Sequence, residues 1–440
     1  MEKNYSLSPG PVAQADRIKT IDVLRGVALL GILMMNIPGF AMPEHFTESF
    51  HQDLHSPNFW THAVITVFFE GKMRALFSMI FGAGILLFIM RKEQAGYPFK
   101  FLFFSRMGWM VLFGLIHAHI LLWVGDILYF YGLIGMLAFF FRKMKAKYLV
   151  IGVLLMAVAD DVSYTMFYQN LRNQRLNYMA AENVQKQHKP LNIKQSKDIK
   201  SWLETEREFM PNKAQVAEHI KMMKSGYGGV AKRINPITWD YEIKYLYLSA
   251  GDVLALMLLG MALYKWKFFT GEWSQKEYIR TALIGYGFGL PLVIYSYSQS
   301  YQVPSGSAAF MTYLETHPIR WSELIYPFQR ILLVMAHASM IMLILKAGIW
   351  KGFTARLAAV GQMAFTNYIM QTVFCTLFFF GYGLNYFAEL QYYQLYFVVA
   401  AIWMIQLIIS PLWLKYFLFG PLEWFWRSLT YWRRQPMQRD

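Results

Sequence analysis

His117–Gly132 reads HAHILLWVGDILYFYG. Two apolar segments are joined here through a turn of almost no length, and the turn carries a carboxylate, Asp126, close to His117 and His119. A tight hairpin between oily segments is read as two consecutive membrane helices. Ionisable groups at membrane depth are expensive, so each is a functional candidate by default. His119 lies two residues beyond His117, about 200° around a helix. Both cannot face one site, and the deeper His117 is the stronger candidate.

Working outward, the composition agrees. Of 440 residues, 56% are hydrophobic and 16% charged, against roughly 45–50% and about 25% in soluble domains. Many apolar runs approach the ~20 residues that cross a bilayer as helix. The expected fold is all-α, a polytopic transmembrane bundle. The net charge of +15 is then no sign of nucleic-acid binding, because Lys and Arg collect in cytoplasmic loops of such proteins. The lone Cys375 permits no intrachain disulfide and no cysteine metal site. The first apolar run has no small-residue cleavage site, so no removed signal peptide is expected.

Ten crossings are expected, with both termini cytoplasmic: Ile21–Met42, Asn58–Met90, Phe104–Trp123, Ile127–Phe141, Tyr148–Asp160 and a little beyond, Tyr245–Tyr264, Arg280–Tyr297, Ile325–Leu345, Leu357–Phe380 and Tyr393–Leu414. Basic clusters at Arg91–Arg106, Arg142–Lys147, Lys265–Arg280, Lys346–Arg356 and the C-terminus would all lie inside. Asn58–Met90 is too long for one ordinary span and is interrupted by Glu70, Gly71, Lys72 and Arg74. A single long, tilted or broken crossing keeps the charge rule; a re-entrant pair is the alternative. The chain divides into a membrane half at 1–166, an extracytoplasmic helical region at 167–242 and a second membrane half at 243–440. Within the middle region, Gln169–Asp240 is the long polar stretch, with short helices expected, for example around Ile199–Met210.

On that topology Asn36, Glu70, His117 and Asp126 can share one depth, with Asp126 at the outer end of its hairpin. A carboxylate bonded to an imidazole fixes its tautomer and raises its basicity, as general acid/base chemistry needs. An amide such as Asn36 could orient the base or stabilise an oxyanion. The plain alternative is that these groups bridge helices and satisfy one another. Asp22 and Arg25, three apart at the inner surface, suit either an anionic ligand, with Arg25 on phosphate, or a capping and snorkelling pair. Lys72 and Arg74 need partners, which Glu70 offers, or else line a path for a phosphate-bearing molecule. Gln329 and Arg330 have the same two readings. His45, His51 and His55 sit in an acidic loop, where a metal is a weak reading, and His337 reads as a packing histidine.

Several stretches resemble the YeiB-like family of bacterial membrane proteins: RIKTIDVLRGVALLGILMMNIPGF near the start, EGKMRALFSMIFGAG from Glu70, GLIHAHILLWVGDILYFYGLIGML from Gly114, LAAVGQMAFTNYIMQT from Leu357 and FGPLEWFWRSLTYW near the end. Through its first two spans that family is similar to transmembrane acyltransferases of the heparan glucosaminide acetyltransferase type. There, acyl-CoA on the cytoplasmic side supplies an acyl group to an acceptor across the membrane. Their D-x-x-R-G and following Asn fall here on Asp22, Arg25, Gly26 and Asn36. Their histidine follows that Asn by about a dozen residues; His45 is nearest, but the flanking sequence departs, and His117 takes its place.

The expectation is a membrane-embedded acyltransferase of the bacterial inner membrane. His117, Asp126 and Asn36 are its catalytic candidates. Asp22, Arg25, Glu70, Lys72 and Arg74 are its binding candidates. Expected partners are membrane lipid, acyl-CoA as donor, an extracytoplasmic acceptor and, in a homodimer, a second copy of the chain; no metal or nucleic acid is expected. A transporter or channel built on the same polar groups is the alternative, and a scaffold without chemistry the third.

Overall fold

The fold was described from a computed structural model, which covers residues 18–43, 53–210, 212–244, 246–304 and 307–439. The N-terminal tail up to residue 17, and with it His45 and His51, lies outside the described residues; His55 is exposed. Among the described residues the chain is helical, and one antiparallel bridge pairs Phe417 with Gln438. Seven segments are long and apolar enough to cross a membrane. The protein is an all-α, multi-pass membrane protein.

Each of the ten expected crossings appears as helix. They are α1 (Lys19–Ala41), α2 (Pro57–Phe68) continued by α3 (Lys72–Gln94), α4 (Phe99–His119), α5 (Leu128–Ala138), α6 (Ala146–Lys186), α10 (Leu246–Lys265), α11 (Gln275–Gln302), α13 (Trp321–Ala347), α14 (Lys351–Gln362) continued by α15 (Ala364–Phe379), and α16 (Leu395–Tyr416). Two of the apolar helices are short, α5 and α15, of 11 and 16 residues. At about 1.5 Å per residue neither spans a bilayer core alone. Between these lie α7 (Ile193–Phe209), α8 (Lys213–Met223), α9 (Tyr227–Lys244) and α12 (Ala308–Thr316), and α17 (Pro421–Thr430) closes the chain.

The basic segments meet at one end of the bundle. Lys265 Nζ donates to Arg142 O (2.9 Å), Lys346 Nζ to Gly271 O (3.0 Å) and Trp426 Nε1 to Arg106 O (3.0 Å). The opposite end gathers the starts of α2 and α16 and the end of α11: Tyr393 N donates to Asn58 Oδ1 (3.1 Å), and His62 bonds the Tyr297 hydroxyl (3.3 Å). Thus α2 begins at one end and α3 finishes at the other, where Lys92 lies 5.1 Å from the Tyr431 ring. The pair forms one broken crossing rather than two. The break sits at Gly71, whose φ of 69° is a conformation glycine alone adopts without penalty.

Two features go beyond the sequence reading. No helix break falls at residue 167. Helix α6 continues unbroken for 41 residues, about 60 Å at 1.5 Å per residue, and its far half packs with α7 and α12 around Trp202, which is 1% exposed. Asp126, at the hairpin tip, is buried. Helices α8 and α9 and residues 380–387 fold over the hairpin tip, packing Met223, Val230 and Ile234 against Leu122 and Trp123. Apolar positions on α9, within the polar stretch, supply the cover.

Backbones approach closely where α3 crosses α10. A Cβ on Gly82 would lie 2.0 Å from Met257 O, and one on Gly260 1.8 Å from Met79 O. Small residues at such crossings let membrane helices pack through dispersion. We expect Gly82→Ala to destabilise the protein by about 1–3 kcal/mol through overpacking. Gly84→Ala, on the same helix with nothing within 4 Å of the new Cβ, should be neutral. Thermal melting in detergent compares the two.

Candidate functional site

The last turns of α4 and the first turn of α5 are held against each other by a missing side chain: a Cβ on Gly114 would meet Tyr129 N at 2.3 Å and Asp126 Oδ2 at 2.7 Å. The intervening turn places Leu122 in the left-handed region (φ 58°) although it is wholly buried, at a cost of about 1–2 kcal/mol. That turn aims Asp126 back at His117. Asp126 Oδ2 accepts the Tyr129 N–H (2.8 Å) and so caps α5, while Oδ1 lies 2.7 Å from His117 Nδ1. A carboxylate only accepts, so Nδ1 donates and Nε2 is left as the acceptor. Its partner is the Thr372 hydroxyl of α15, at 2.8 Å. The Tyr368 ring stands edge-on to the imidazole at 4.9 Å. His117 is 0% and Asp126 3% exposed. The pair is therefore dry, and both imidazole nitrogens are satisfied.

The other sequence candidates disperse. Asn36 is half-buried on α1, and no hydrogen bond joins it to the pair. Glu70 interacts with Lys72 and Thr66 instead. Lys72, fully buried, donates to Thr66 O (2.7 Å). Arg74 finds Asp252 of α10 (2.8 Å), which also holds Arg330 of α13 through both carboxylate oxygens. The expected Glu70 partnership thus goes to Lys72 alone. A one-residue carboxylate on a neighbouring helix, invisible as a partner in the sequence, takes both arginines. Gln329 bonds Ser296 (3.0 Å). His119 leaves the hairpin on its other face and pairs with Glu242 of α9 (2.9 Å) under the Trp239 ring. His337 is satisfied by Tyr286 and by Phe68 O, as a packing histidine should be.

Asp22 and Arg25 pair at 2.9 Å at the basic end, and Arg25 also reaches Gly361 O (3.3 Å). Arg25 lines the mouth of a cavity of about 260 Å³ enclosed by α1, α3, α4, α5, α15 and α17. Arg91, Arg106 and Arg427 stand at the same mouth. Below them the walls are apolar, including Phe81, Met107, Met110 and Phe113, and the floor is made by Ile127, Tyr131 and Tyr368. From Arg91 to Phe77 on α3, the cavity follows the helix for about 21 Å. Each floor tyrosine belongs to one polar cluster. Tyr368 leans on His117, and Tyr131 bonds Ser78 (2.5 Å) and reaches Arg74 O (3.5 Å). Helix α17 is tied across the mouth by Glu423, which accepts the N–H groups of Phe365 and Thr366 at the start of α15 (2.6 and 3.1 Å). Among the described residues no group of three potential metal ligands exists.

Sequence reasoning missed Thr372, Tyr368 and Glu242 as partners. A threonine or tyrosine in an apolar helix carries no periodic signal. The available signal was indirect: the family-like stretch from Leu357 ends on Thr372.

Residues 263–433 match the family described as "Protein of unknown function (DUF418)". The chain is 26% identical to "Uncharacterized protein YxaH" of Bacillus subtilis, over 98% of each chain. It is 27% identical to "Uncharacterized protein YeiB" of Escherichia coli, over 94% of this chain and 96% of that protein. A 39.9 kDa protein encoded in the amylase 3' region of Bacillus acidopullulyticus is likewise 27% identical, over 97% of each. The likeness therefore runs through both membrane halves and the stretch between them. No solved structure matches.

Removing the carboxylate strands the buried Arg330, at about 3–5 kcal/mol, and the partly exposed Arg74 at less. Asp252→Ala, which leaves Arg74 and Arg330 unpaired, should lower the melting temperature far more than the combined replacement Arg74→Met, Asp252→Leu, Arg330→Met, and calorimetry in detergent reads the difference.

Proposed function

We propose that this relative of the YeiB-like membrane proteins is a membrane-embedded acyltransferase that takes its acyl group from acyl-CoA at the basic end of the bundle. One observation carries the reading. A single cavity joins an arginine mouth to a tyrosine that touches a carboxylate-oriented imidazole. Arginines bind phosphate through charge-assisted, often bidentate hydrogen bonds. Arg25, Arg91, Arg106 and Arg427 suit the phosphates of the donor, and the apolar shaft suits its thioester arm and acyl chain. By the positive-inside rule that mouth is cytoplasmic. The acceptor would approach from the opposite end, beneath α8 and α9.

The chemistry follows from His117. Asp126 holds Nδ1–H, so Nε2 is the proton acceptor. It can take the proton of a hydroxyl or amine as that group attacks the thioester carbonyl. The carbon–sulfur bond then breaks, and the thiolate leaving group collects the proton. Asn36 and Glu70, away from the imidazole, have no part in this step. Lys72 and Arg74 act in the second polar cluster instead of on the donor phosphates.

A transporter remains the second reading, favoured by Arg74, whose side chain keeps 36% exposure inside the bundle beside Asp252 and Arg330. The two readings separate in one assay. Purified protein given acetyl-CoA or palmitoyl-CoA should release free thiol. His117→Ala should lower the rate by about 10²–10⁴-fold, the usual worth of a positioned base, in protein that is less stable but still folded at the assay temperature. Arg106→Gln should raise the KM about tenfold, the loss of one charge-assisted contact. Absence of thiol release with both donors, together with flux of anionic amphiphiles into liposomes, would replace the enzyme with the transporter.

A further inference from the structure

The imidazole does not face the cavity directly. The atom its Nε2 engages is Thr372 Oγ1, and together Thr372, His117 and Asp126 form a hydroxyl–imidazole–carboxylate chain with links of 2.8 and 2.7 Å. A nucleophile within hydrogen-bond reach of a base, itself oriented by a third group, is the geometry of covalent catalysis. Thr372 is 2% exposed, on α15 one helical turn after Tyr368, the residue that floors the cavity. A second contact ties the cavity floor to the hairpin: the buried Trp123 indole N–H meets the Tyr368 hydroxyl. A Cβ on Gly125 would lie 3.1 Å from that nitrogen, and the Tyr368 hydroxyl reaches Gly125 O (3.4 Å). Trp123 and Tyr368 thus meet at Gly125, on the turn that carries Asp126.

Resting on the acyltransferase reading, we infer that Thr372 is the nucleophile and that the acyl group passes through an ester on its Oγ1. In the first half, His117 Nε2 takes the Thr372 proton while Oγ1 attacks the thioester carbonyl. A tetrahedral oxyanion forms. The carbon–sulfur bond breaks, and the imidazolium returns the proton to the departing thiolate. In the second half, an acceptor hydroxyl or amine gives its proton to Nε2 and attacks the ester carbonyl, and Thr372 leaves with that proton. Tyr368 must swing aside for the thioester to reach Oγ1, so the cavity floor is a door between donor and nucleophile. No acid, oxidant or metal beyond these groups is required, and the two half-reactions give the enzyme ping-pong order.

The test uses full-length protein in nanodiscs, with radiolabelled acetyl-CoA and no acceptor. The expected result is a burst of one thiol per chain, label retained after denaturation, and a peptide containing Thr372 heavier by one acetyl group. Thr372→Ser should keep both burst and label. Thr372→Val should lose them, with thiol release down at least 100-fold in protein that is less stable but still folded at the assay temperature. Thiol release by Thr372→Val within threefold of wild type, or turnover without label on residue 372, would overturn the covalent route and leave the acyltransferase standing. Failure of wild type to release any thiol would remove both.

Discussion

An imidazole buried without water must satisfy both of its nitrogens from the protein, and this requirement shapes the bundle around His117. One nitrogen is met by Asp126, ten residues on in the same hairpin when both ends are counted; the other by Thr372, which comes from the far half of the chain. The chain of three links therefore fixes α4, α5 and α15 to one another. In a medium where apolar burial gives helices no preference for each other over lipid, such polar ties and close-packed crossings decide which helices touch. The α3–α10 crossing does the same work with glycines instead of hydrogen bonds. The Arg74–Asp252–Arg330 cluster ties α3, α10 and α13 at a comparable expense of dehydration.

These two polar clusters share the cavity between them. Tyr368 and Tyr131 stand side by side in its floor, each backed by a different set of charges. The arrangement separates a long apolar shaft from everything that could hydrogen-bond. A ligand in the shaft meets polar side chains at the mouth, from the arginines, Gln362 and Glu423, and at two phenols below. That polarity pattern matches a molecule with an anionic head and an oily or weakly polar arm.

Much of this could be read in the sequence, and the parts that could not have a common cause. The fold class and each of the ten helical segments follow from apolar runs of the right length. The gathering of basic segments at one end follows from charge placement. The His117–Asp126 pair was accessible because the two residues are neighbours in one hairpin. Asn36 and Glu70 stand apart from the pair because equal depth does not fix rotation about a helix axis, and rotation decides what a side chain faces. Arg74 and Arg330 were legible as cations needing partners, but the choice of Asp252 over Glu70 is a matter of packing. Thr372, Tyr368 and Glu242 give no signal of their own in an apolar context. Helix α9 was hidden because a segment polar in composition can still carry a few well-spaced apolar residues that roof the hairpin.

Helix α17 has a consequence for access. It is the most amphipathic element of the chain, with Trp424, Phe425 and Trp426 among its residues, and it is stapled by Glu423 to the start of α15. A helix of that kind rests in the plane where headgroups meet acyl tails. On the proposed topology the cavity entrance beside it would open at the seam between water and oil, rather than into either. A molecule already lodged in the inner leaflet could slide in edgewise, its charged portion never leaving the aqueous side and its tail never leaving the hydrocarbon. Loading of this protein would then depend on how a substrate partitions into the bilayer as much as on its concentration in solution.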